Sequence, residues 1–158
     1  MKILGYVRNE QDIKNAVLDL AQKKGQVIYG ARAINKQLPS HLRRKTKDYD
    51  VLTKQPKKAA EELAKRLNKE FNSDEFKVTR AAYEKTYKVK RNGESIADYT
   101  RTTKKPGVKK ILGVKYAKSD YIKRKIKKTL KDESSSFRFD KDLDTLRRLK
   151  EAENSFSW

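Results

Sequence analysis

The spacing of apolar residues changes after Asn72, and this change constrains the fold more than any other feature. Before it, apolar residues recur at helical spacing, most clearly from Pro56 to Phe71. After it, alternating runs at 86–90 and 95–99 flank Asn92-Gly93, the strongest short-range signal of a β-hairpin. Helices in one part and a hairpin in another favour an α+β fold, in which helices pack on a mixed β-sheet.

The same patterns predict the remaining elements. Helices are expected over 9–24, 31–38, 56–71, 119–130 and 140–153, and strands over 2–7, 27–29, 48–52, 76–79, 86–90, 95–99 and 108–116. Asn9 and Ser119 are expected to cap their helices, and the last helix is expected to turn Leu143, Leu146 and Leu149 inward. At 158 residues the chain should form one domain, with its core over about 10–117 and a basic helical C-terminal part over about 118–154.

Composition excludes several kinds of chemistry. The chain has no cysteine and a single histidine, His41, so thiolate sites, a catalytic triad and a multi-histidine metal site are excluded. We expect His41 to be an exposed loop residue. Any metal must be held by oxygen, which favours Mg²⁺ or Mn²⁺. No stretch has the apolar length of a membrane span, so we expect a soluble, intracellular protein that does not act on a membrane.

The net charge of +20 predicts a polyanionic partner. Thirteen basic residues lie between Arg101 and Lys131, against the single acid Asp120. Nucleic acid, either RNA or DNA, is the favoured partner, and a membrane surface or simple solubility are the alternatives. The candidate nucleic-acid contacts are Lys104, Lys105, Lys109, Lys110, Lys115, Lys118, Lys123, Arg124, Lys127 and Lys128.

Three carboxylates form the candidate catalytic site. Side chains two residues apart on a strand share a face, so Asp48 and Asp50 should point together while Tyr49 and Val51 point into the core. Asp98 lies on a strand of the predicted hairpin. This arrangement suits a divalent metal. The alternatives are that Asp48 and Asp50 pair with nearby exposed basic residues, and that Asp98 forms a cross-strand ion pair with a lysine such as Lys88.

A glycine turn precedes the paired acids. The apolar run Val27-Ile28-Tyr29 ends in Gly30 and is followed by the helix-like segment 31–38. A strand, a glycine and a helix start in that order can seat a phosphate on backbone N–H groups. Arg32 and Asn35, just beyond the turn, are candidate phosphate or sugar contacts.

This order of motifs resembles the nucleotidyltransferase superfamily, which includes DNA polymerase beta and the poly(A) polymerases. Gly30 with Ala31 stands in the place of its glycine motif, Asp48 with Asp50 in that of its paired acids, and Asp98 in that of its third acid. The segments 29–35 and 46–50 are similar to the catalytic part of poly(A) polymerase-like proteins of large DNA viruses. The segments 121–126 and 138–144 are similar to the helical end of small members, and the resemblance extends from residue 27 to about 149.

The resemblance implies a nucleotidyltransferase fold with a C-terminal helical segment, a nucleoside triphosphate substrate, and Mg²⁺ or Mn²⁺. It implies that Asp48, Asp50 and Asp98 are catalytic and hold the metal, and it is compatible with a virus-encoded or virion-associated protein. In the helical end of small members a lysine and an arginine face the nucleotide, which points to Lys125 and Arg138. The full set of candidate nucleotide contacts is Gly30, Ala31, Arg32, Asn35, Lys125 and Arg138.

Two classes of function follow. The first is an enzyme that transfers a nucleotide from a nucleoside triphosphate to a nucleic-acid end, alone or in assembly with other proteins. The second is an inactive relative that serves as a basic nucleic-acid-binding or virion structural module. Ala31 bears on this choice, because the family usually has glycine or serine there, and alanine keeps the backbone N–H but lacks a hydroxyl. A weaker third possibility is transfer of a nucleotide to a protein side chain.

Overall fold

The protein is represented by a computed structural model that describes residues 2–81, 85–102, 105–132, 136 and 138–155, with backbone alone for 2–8 and 154–155. The helices are α1 Lys2–Lys24, α2 Gly30–Lys36, α3 Pro56–Glu70, α4 Ser119–Leu130 and α5 Phe139–Ser155, with a short 3₁₀ helix at Ser40–Leu42. The strands are β1 Val27–Tyr29, β2 Tyr49–Thr53, β3 Phe76–Arg80, β4 Thr86–Arg91, β5 Glu94–Arg101, β6 Val108–Ile111 and β7 Val114–Ala117.

The strands form one mixed sheet in the order β3-β4-β5-β2-β1-β7-β6. The pairs β2 with β5 and β1 with β7 are parallel, and the other neighbours are antiparallel. The parallel pairing of β2 with β5 places the hairpin strand beside the strand that follows Asp48. The α+β fold with a mixed sheet and C-terminal helices is therefore confirmed.

The core lies between the sheet and a helical layer that includes α1 and α3. The apolar stripe of α3 includes Leu63 and Leu67, which are fully buried, as are Val51 and Tyr99 from the central strands. Burying a side chain of this size contributes about 1.5 to 3 kcal/mol. Because side chains alternate along a strand, burial of Tyr49 and Val51 turns the intervening residue of β2 away from this core, as the sequence predicted.

Two predicted strands are wrong. Residues 2–7 form the first turns of α1, so Asn9 lies inside that helix and does not cap it. A short apolar run cannot be assigned to strand or helix by periodicity alone, and no turn residue separates it from the helix that follows. Segment 108–116 is two strands, β6 and β7, joined at Leu112-Gly113, where both residues have positive φ. Leucine rarely adopts that conformation, so the sequence does not indicate this hairpin.

The C-terminal helices agree with the sequence in position and differ in detail. Lys118, and not Ser119, occupies the N-cap position of α4. Leu149 is buried and Leu146 is half-buried, but Leu143 is 54% exposed, so its predicted inward position is wrong. None of the helices in the described part of the chain is long and apolar enough to cross a membrane.

Candidate active site

Three carboxylates meet at one end of the β2–β5 ladder. Asp50 and Asp98 are register partners on these parallel strands, and Asp48 precedes Asp50 by two residues, just before β2 begins. One oxygen from each carboxylate lies within 4.8 Å of the others, and all three residues are half-buried. The structure therefore brings together the three acids that the sequence singled out.

The predicted glycine turn lies directly against this cluster. Gly30, the first residue of α2, has φ +66, and β1 ends at Tyr29, the register partner of Asp50. A Cβ atom at Gly30 would lie 2.3 Å from Asp50 Oδ2 and 3.2 Å from Asp50 Cβ. Glycine is thus required here both by its backbone conformation and by the close approach of the carboxylate.

Electrostatic repulsion within the cluster makes it suited to a cation. Burial first, and then the negative charges of Asp48 and Asp98, raise the pKa of Asp50 to about 7 against a smaller lowering by Arg138 and Lys141. Carboxylate oxygens are the ligands that Mg²⁺ and Mn²⁺ prefer, and a divalent ion would remove the repulsion that raises this pKa. The donor set therefore fits the metal that the family resemblance implies.

Asp98 also has partners within the protein. Lys88 Nζ lies 3.2 Å from Asp98 Oδ2, across the β4–β5 ladder, and the Ser95 hydroxyl donates to Asp98 Oδ1 at 3.1 Å. The cross-strand ion pair considered from the sequence is thus present. It coexists with the cluster, because a carboxylate has about four lone-pair positions and these two contacts leave others for a metal.

Arg32 holds the segment that carries the first acid. Its guanidinium donates from Nε to Asp48 O and from Nη2 to Lys47 O, both at 3.2 Å, and lies 4.0 Å from the centre of the Tyr49 ring. These contacts fix the backbone just before β2. The predicted contact of Arg32 with phosphate stays a prediction; its described contacts are with the protein.

Asn35 and α5 fasten the loop between α2 and β2. The Asn35 amide donates to Arg44 O at 2.6 Å and accepts from Arg44 N at 3.0 Å. From the other side, the buried Arg148 donates to Leu42 O at 3.4 Å and to Asp144 Oδ2 at 3.0 Å. The loop is therefore held by both α2 and α5 at the end of its 3₁₀ turn, within which His41 is exposed as predicted.

Cationic side chains from the C-terminal helices approach the acids. Lys125 Nζ on α4 lies 4.5 Å from the centre of the Tyr29 ring. Arg138 and Lys141, both exposed, act on the pKa of Asp50, and Arg138 lies 3.7 Å from Asp142. Arg138 thus lies near the cluster, and Lys125 lies against the ring of Tyr29, the register partner of Asp50. Their contact with a nucleotide, which the resemblance implies, stays a prediction. Lys141 was missed; its spacing of three residues from Arg138, typical of one helix face, was the available signal.

The basic run 101–131 does not form a single surface. Arg124, Lys127 and Lys128 are exposed on α4, whereas Lys123 is less exposed and forms an ion pair with Glu153. The remaining predicted contacts lie elsewhere, and Lys104 is outside the described residues. Lys109, Lys110 and Lys118 are exposed on or beside the β6–β7 hairpin. Lys105 and Lys115 line a groove at the end of β1 and β2 opposite the acids.

The fold is nucleotidyltransferase-like. The structure is similar to that of the Megavirus polyadenylate synthase, with a TM-score of 0.74 and 18% identity over 91% of this chain and 31% of that one. The chain thus spans about a third of the length of that protein. It is also similar to JHP933 from Helicobacter pylori, with a TM-score of 0.49 and 15% identity over 77% of this chain and 55% of that one.

The family follows from the sequence match. The family model of the poly(A) polymerase catalytic subunit matches residues 15–130, a range that contains the glycine turn and all three acids. The chain belongs to this family. No curated protein matches the chain in sequence.

Proposed function

We propose that this protein is a Mg²⁺- or Mn²⁺-dependent nucleotidyltransferase that transfers a nucleotide from a nucleoside triphosphate to a nucleic-acid end. The observation that carries the proposal is the convergence of Asp48, Asp50 and Asp98 within 4.8 Å beside the Gly30 turn. The family name favours ATP as the donor and RNA as the acceptor. Activity would require the whole chain acting as a single catalytic domain.

Each group has a proposed role in a reaction that is difficult because of its negative charge. The acceptor hydroxyl attacks the α-phosphorus, the bond from that phosphorus to the pyrophosphate breaks, and the hydroxyl proton must leave. Asp48 and Asp50 would hold the metal, and Asp98 would lie nearest the attacking hydroxyl and accept its proton. Two divalent ions, when bound, would supply charge neutralisation for the attacking and leaving oxygens.

The remaining predicted contacts serve the triphosphate. The backbone at Gly30 and Ala31 adjoins Asp50 and would seat phosphate oxygens on N–H groups, without a hydroxyl from Ala31. Arg138, just before α5, acts on Asp50, and Lys125 on α4 lies against the ring of Tyr29, the register partner of Asp50. Both would neutralise the departing pyrophosphate. Positive charge on this side of the acids matches a polyanionic substrate.

A second candidate is an inactive family member that binds nucleic acid. The ion pair between Lys88 and Asp98 favours it, because the carboxylate proposed to accept the proton is already partly neutralised by a lysine 3.2 Å away. The absence of a hydroxyl at Ala31 points in the same direction. Both candidates require nucleic-acid binding, and they differ in turnover.

The test is incubation of the purified protein with labelled nucleoside triphosphates, Mg²⁺ or Mn²⁺, and RNA, DNA or protein acceptors. We expect transfer to an RNA end, and we expect Asp48→Asn to abolish it by removing a metal ligand. Asp74→Asn, at an exposed position between α3 and β3, is the matched control and should transfer at the wild-type rate. Salt-sensitive RNA binding without any transfer would establish the inactive module, and labelling of the protein acceptor alone would identify a protein-modifying enzyme.

A further inference from the structure

A second functional surface lies at the opposite end of β1 and β2 from the acids. A groove of about 560 Å³ opens beside Val27 and Leu52, which are register partners on these strands. Asp50 lies two residues before Leu52 on β2, so the carboxylates and the nearest lining residue of the groove on this strand are separated by roughly 7 Å along it. The groove shares no lining residue with the acid cluster.

This groove continues into a second one of about 660 Å³, because Lys54, Gln55 and Lys58 line both. Backbone hydrogen bonds connect residues that line the two grooves or adjoin them. Thr102 N donates to Thr53 O at 3.1 Å, and Arg101 N donates to Lys85 O at 3.0 Å. The two grooves therefore form one continuous track across the N-terminal end of α3 and the end of β5. We refer to these joined grooves as the basic track.

The basic track is strongly cationic. Among the described residues that line it, the acidic ones are Glu61 and Glu62. Within the part of the chain that the structure describes, Lys24 is its only basic residue in an ion pair, at 4.0 Å from Glu62. Unpaired positive charges gathered in a concave surface repel one another and attract a polyanion. The nine basic residues of the track are Lys24, Lys54, Lys57, Lys58, Arg80, Lys85, Arg101, Lys105 and Lys115.

We propose that the basic track binds a single-stranded nucleic-acid backbone. Two joined grooves with nine basic residues are more than one phosphate group needs, and a cationic groove that follows the backbone is typical of single-strand binding. Tyr87, half-buried in the second groove, offers a ring on which a base can stack. The concave shape does not suit a lipid surface.

This assignment goes beyond the charged run at 101–131. Seven of the nine basic residues of the track were not among the nucleic-acid contacts predicted from the sequence, because they are contributed by α1, by the start of α3, and by β3 to β5. Binding to the track does not require turnover. That the bound strand is the acceptor rests on the proposed function.

The test compares two triple variants for binding of a fluorescent single-stranded RNA by anisotropy over a range of salt. The track variant combines Lys54→Gln, Lys58→Gln and Arg101→Gln, all at exposed positions. The control variant combines three exposed substitutions on α4, namely Arg124→Gln, Lys127→Gln and Lys128→Gln. Thermal melting of both variants is the check that they remain folded.

We expect the track variant to bind at least about tenfold more weakly at 0.1 M salt. Its slope of log affinity against log salt should fall by about 2, since each phosphate contact contributes about 0.7. Wild-type affinity and slope in the track variant would overturn the proposal, whatever the α4 variant does. It would also be overturned if inorganic phosphate or a single nucleotide competed as well as a strand, which would mean a small-anion site. Track-dependent binding to phosphatidylserine vesicles without RNA binding would overturn it in favour of a membrane.

The same measurement in Asp48→Asn separates this proposal from the proposed function. That variant should lose transfer and keep RNA affinity. If the wild-type protein shows no transfer but the track variant binds RNA more weakly than the wild type, the track is established and the enzymatic proposal fails. If the wild-type protein transfers a nucleotide and the track variant binds RNA normally, the enzymatic proposal stands and the track proposal fails.

Discussion

Asp50→Asn should stabilise the metal-free protein at pH 8 and abolish its stabilisation by Mg²⁺. The pKa of Asp50 is raised to about 7, chiefly by burial and then by the charges of Asp48 and Asp98. A carboxyl with a folded pKa above its unfolded value binds its proton more tightly in the folded protein. Its contribution to stability is therefore fully present below about pH 4 and is lost as the pH rises to about 7.

The size of the effect follows from that shift. A rise of about three pKa units, at 1.36 kcal/mol per unit, sets an upper limit of roughly 4 kcal/mol at pH 8. Asparagine keeps the shape of the side chain and removes the charge, so we expect a gain of about 2 to 4 kcal/mol. For a domain of this size that corresponds to a rise in Tm of roughly 4 to 16 °C. At pH 5 the carboxyl of the unfolded chain, with its ordinary pKa of 3.8, is already ionised, so about 1.6 kcal/mol of this limit remains and the gain should be less than half of that at pH 8.

The assay is thermal unfolding at pH 5 and pH 8, each in a chelator and in excess Mg²⁺. Wild-type Tm should rise with Mg²⁺ at pH 8 and respond much less at pH 5, because the metal competes with the proton for Asp50. Asp50→Asn should show no Mg²⁺ response at either pH, and the exposed Asp74→Asn should follow the wild type throughout. The reasoning would be refuted if Asp50→Asn lowered the metal-free Tm at pH 8, or raised it equally at both pH values.

Two further substitutions test how the cluster is positioned. Gly30→Ala should lower the free energy of unfolding by about 1 kcal/mol or more, because alanine is strained at positive φ. It should also weaken Mg²⁺ stabilisation at pH 8, because the added Cβ would displace the Asp50 carboxylate. Unchanged Mg²⁺ stabilisation would count against that close approach. Arg32→Lys replaces the planar fork, whose two nitrogens reach the two backbone carbonyls before β2, with a single ammonium, so transfer should require a higher Mg²⁺ concentration and recover at saturating Mg²⁺. If activity stayed low at saturating Mg²⁺, Arg32 would be acting on the substrate and not on the backbone.

The acids were predictable from the sequence because local rules place them. The strand period of two puts Asp48 and Asp50 on one face, and Asn92-Gly93 fixes the hairpin that carries Asp98. The step that brings them together is the parallel pairing of β2 with β5, with Asp50 opposite Asp98. No local pattern specifies that register, and the expectation that all three acids share one catalytic site came from the family resemblance.

The sequence could not predict the contacts of Arg32 or the basic track, for a different reason. Arg32 was assigned to phosphate because arginine near a glycine turn suits an anion, yet its hydrogen bonds reach backbone carbonyls 15 and 16 residues away. The track collects lysines and arginines from five elements and the loops between them, so no window of sequence shows it. Conversely, the one window that was conspicuously basic, 101–131, is divided among separate surfaces.

The acid cluster and the basic track carry charges of opposite sign at the two ends of β2, and this separation explains how a chain of net charge +20 can hold a divalent cation at all. At physiological salt, charges interact over about 8 Å, so the sign of a site is set by the groups within that radius and not by the whole chain. The three carboxylate oxygens, all within 4.8 Å of one another, therefore dominate their own surroundings. Along β2 and β5 the first basic residue of the track is Arg101, three residues and about 10 Å beyond Asp98 on β5, where screening has weakened its effect on a metal. A shift of β2 by one residue against β5 would break up the acid cluster and leave the net charge unchanged, so the cation site depends on strand register and not on composition.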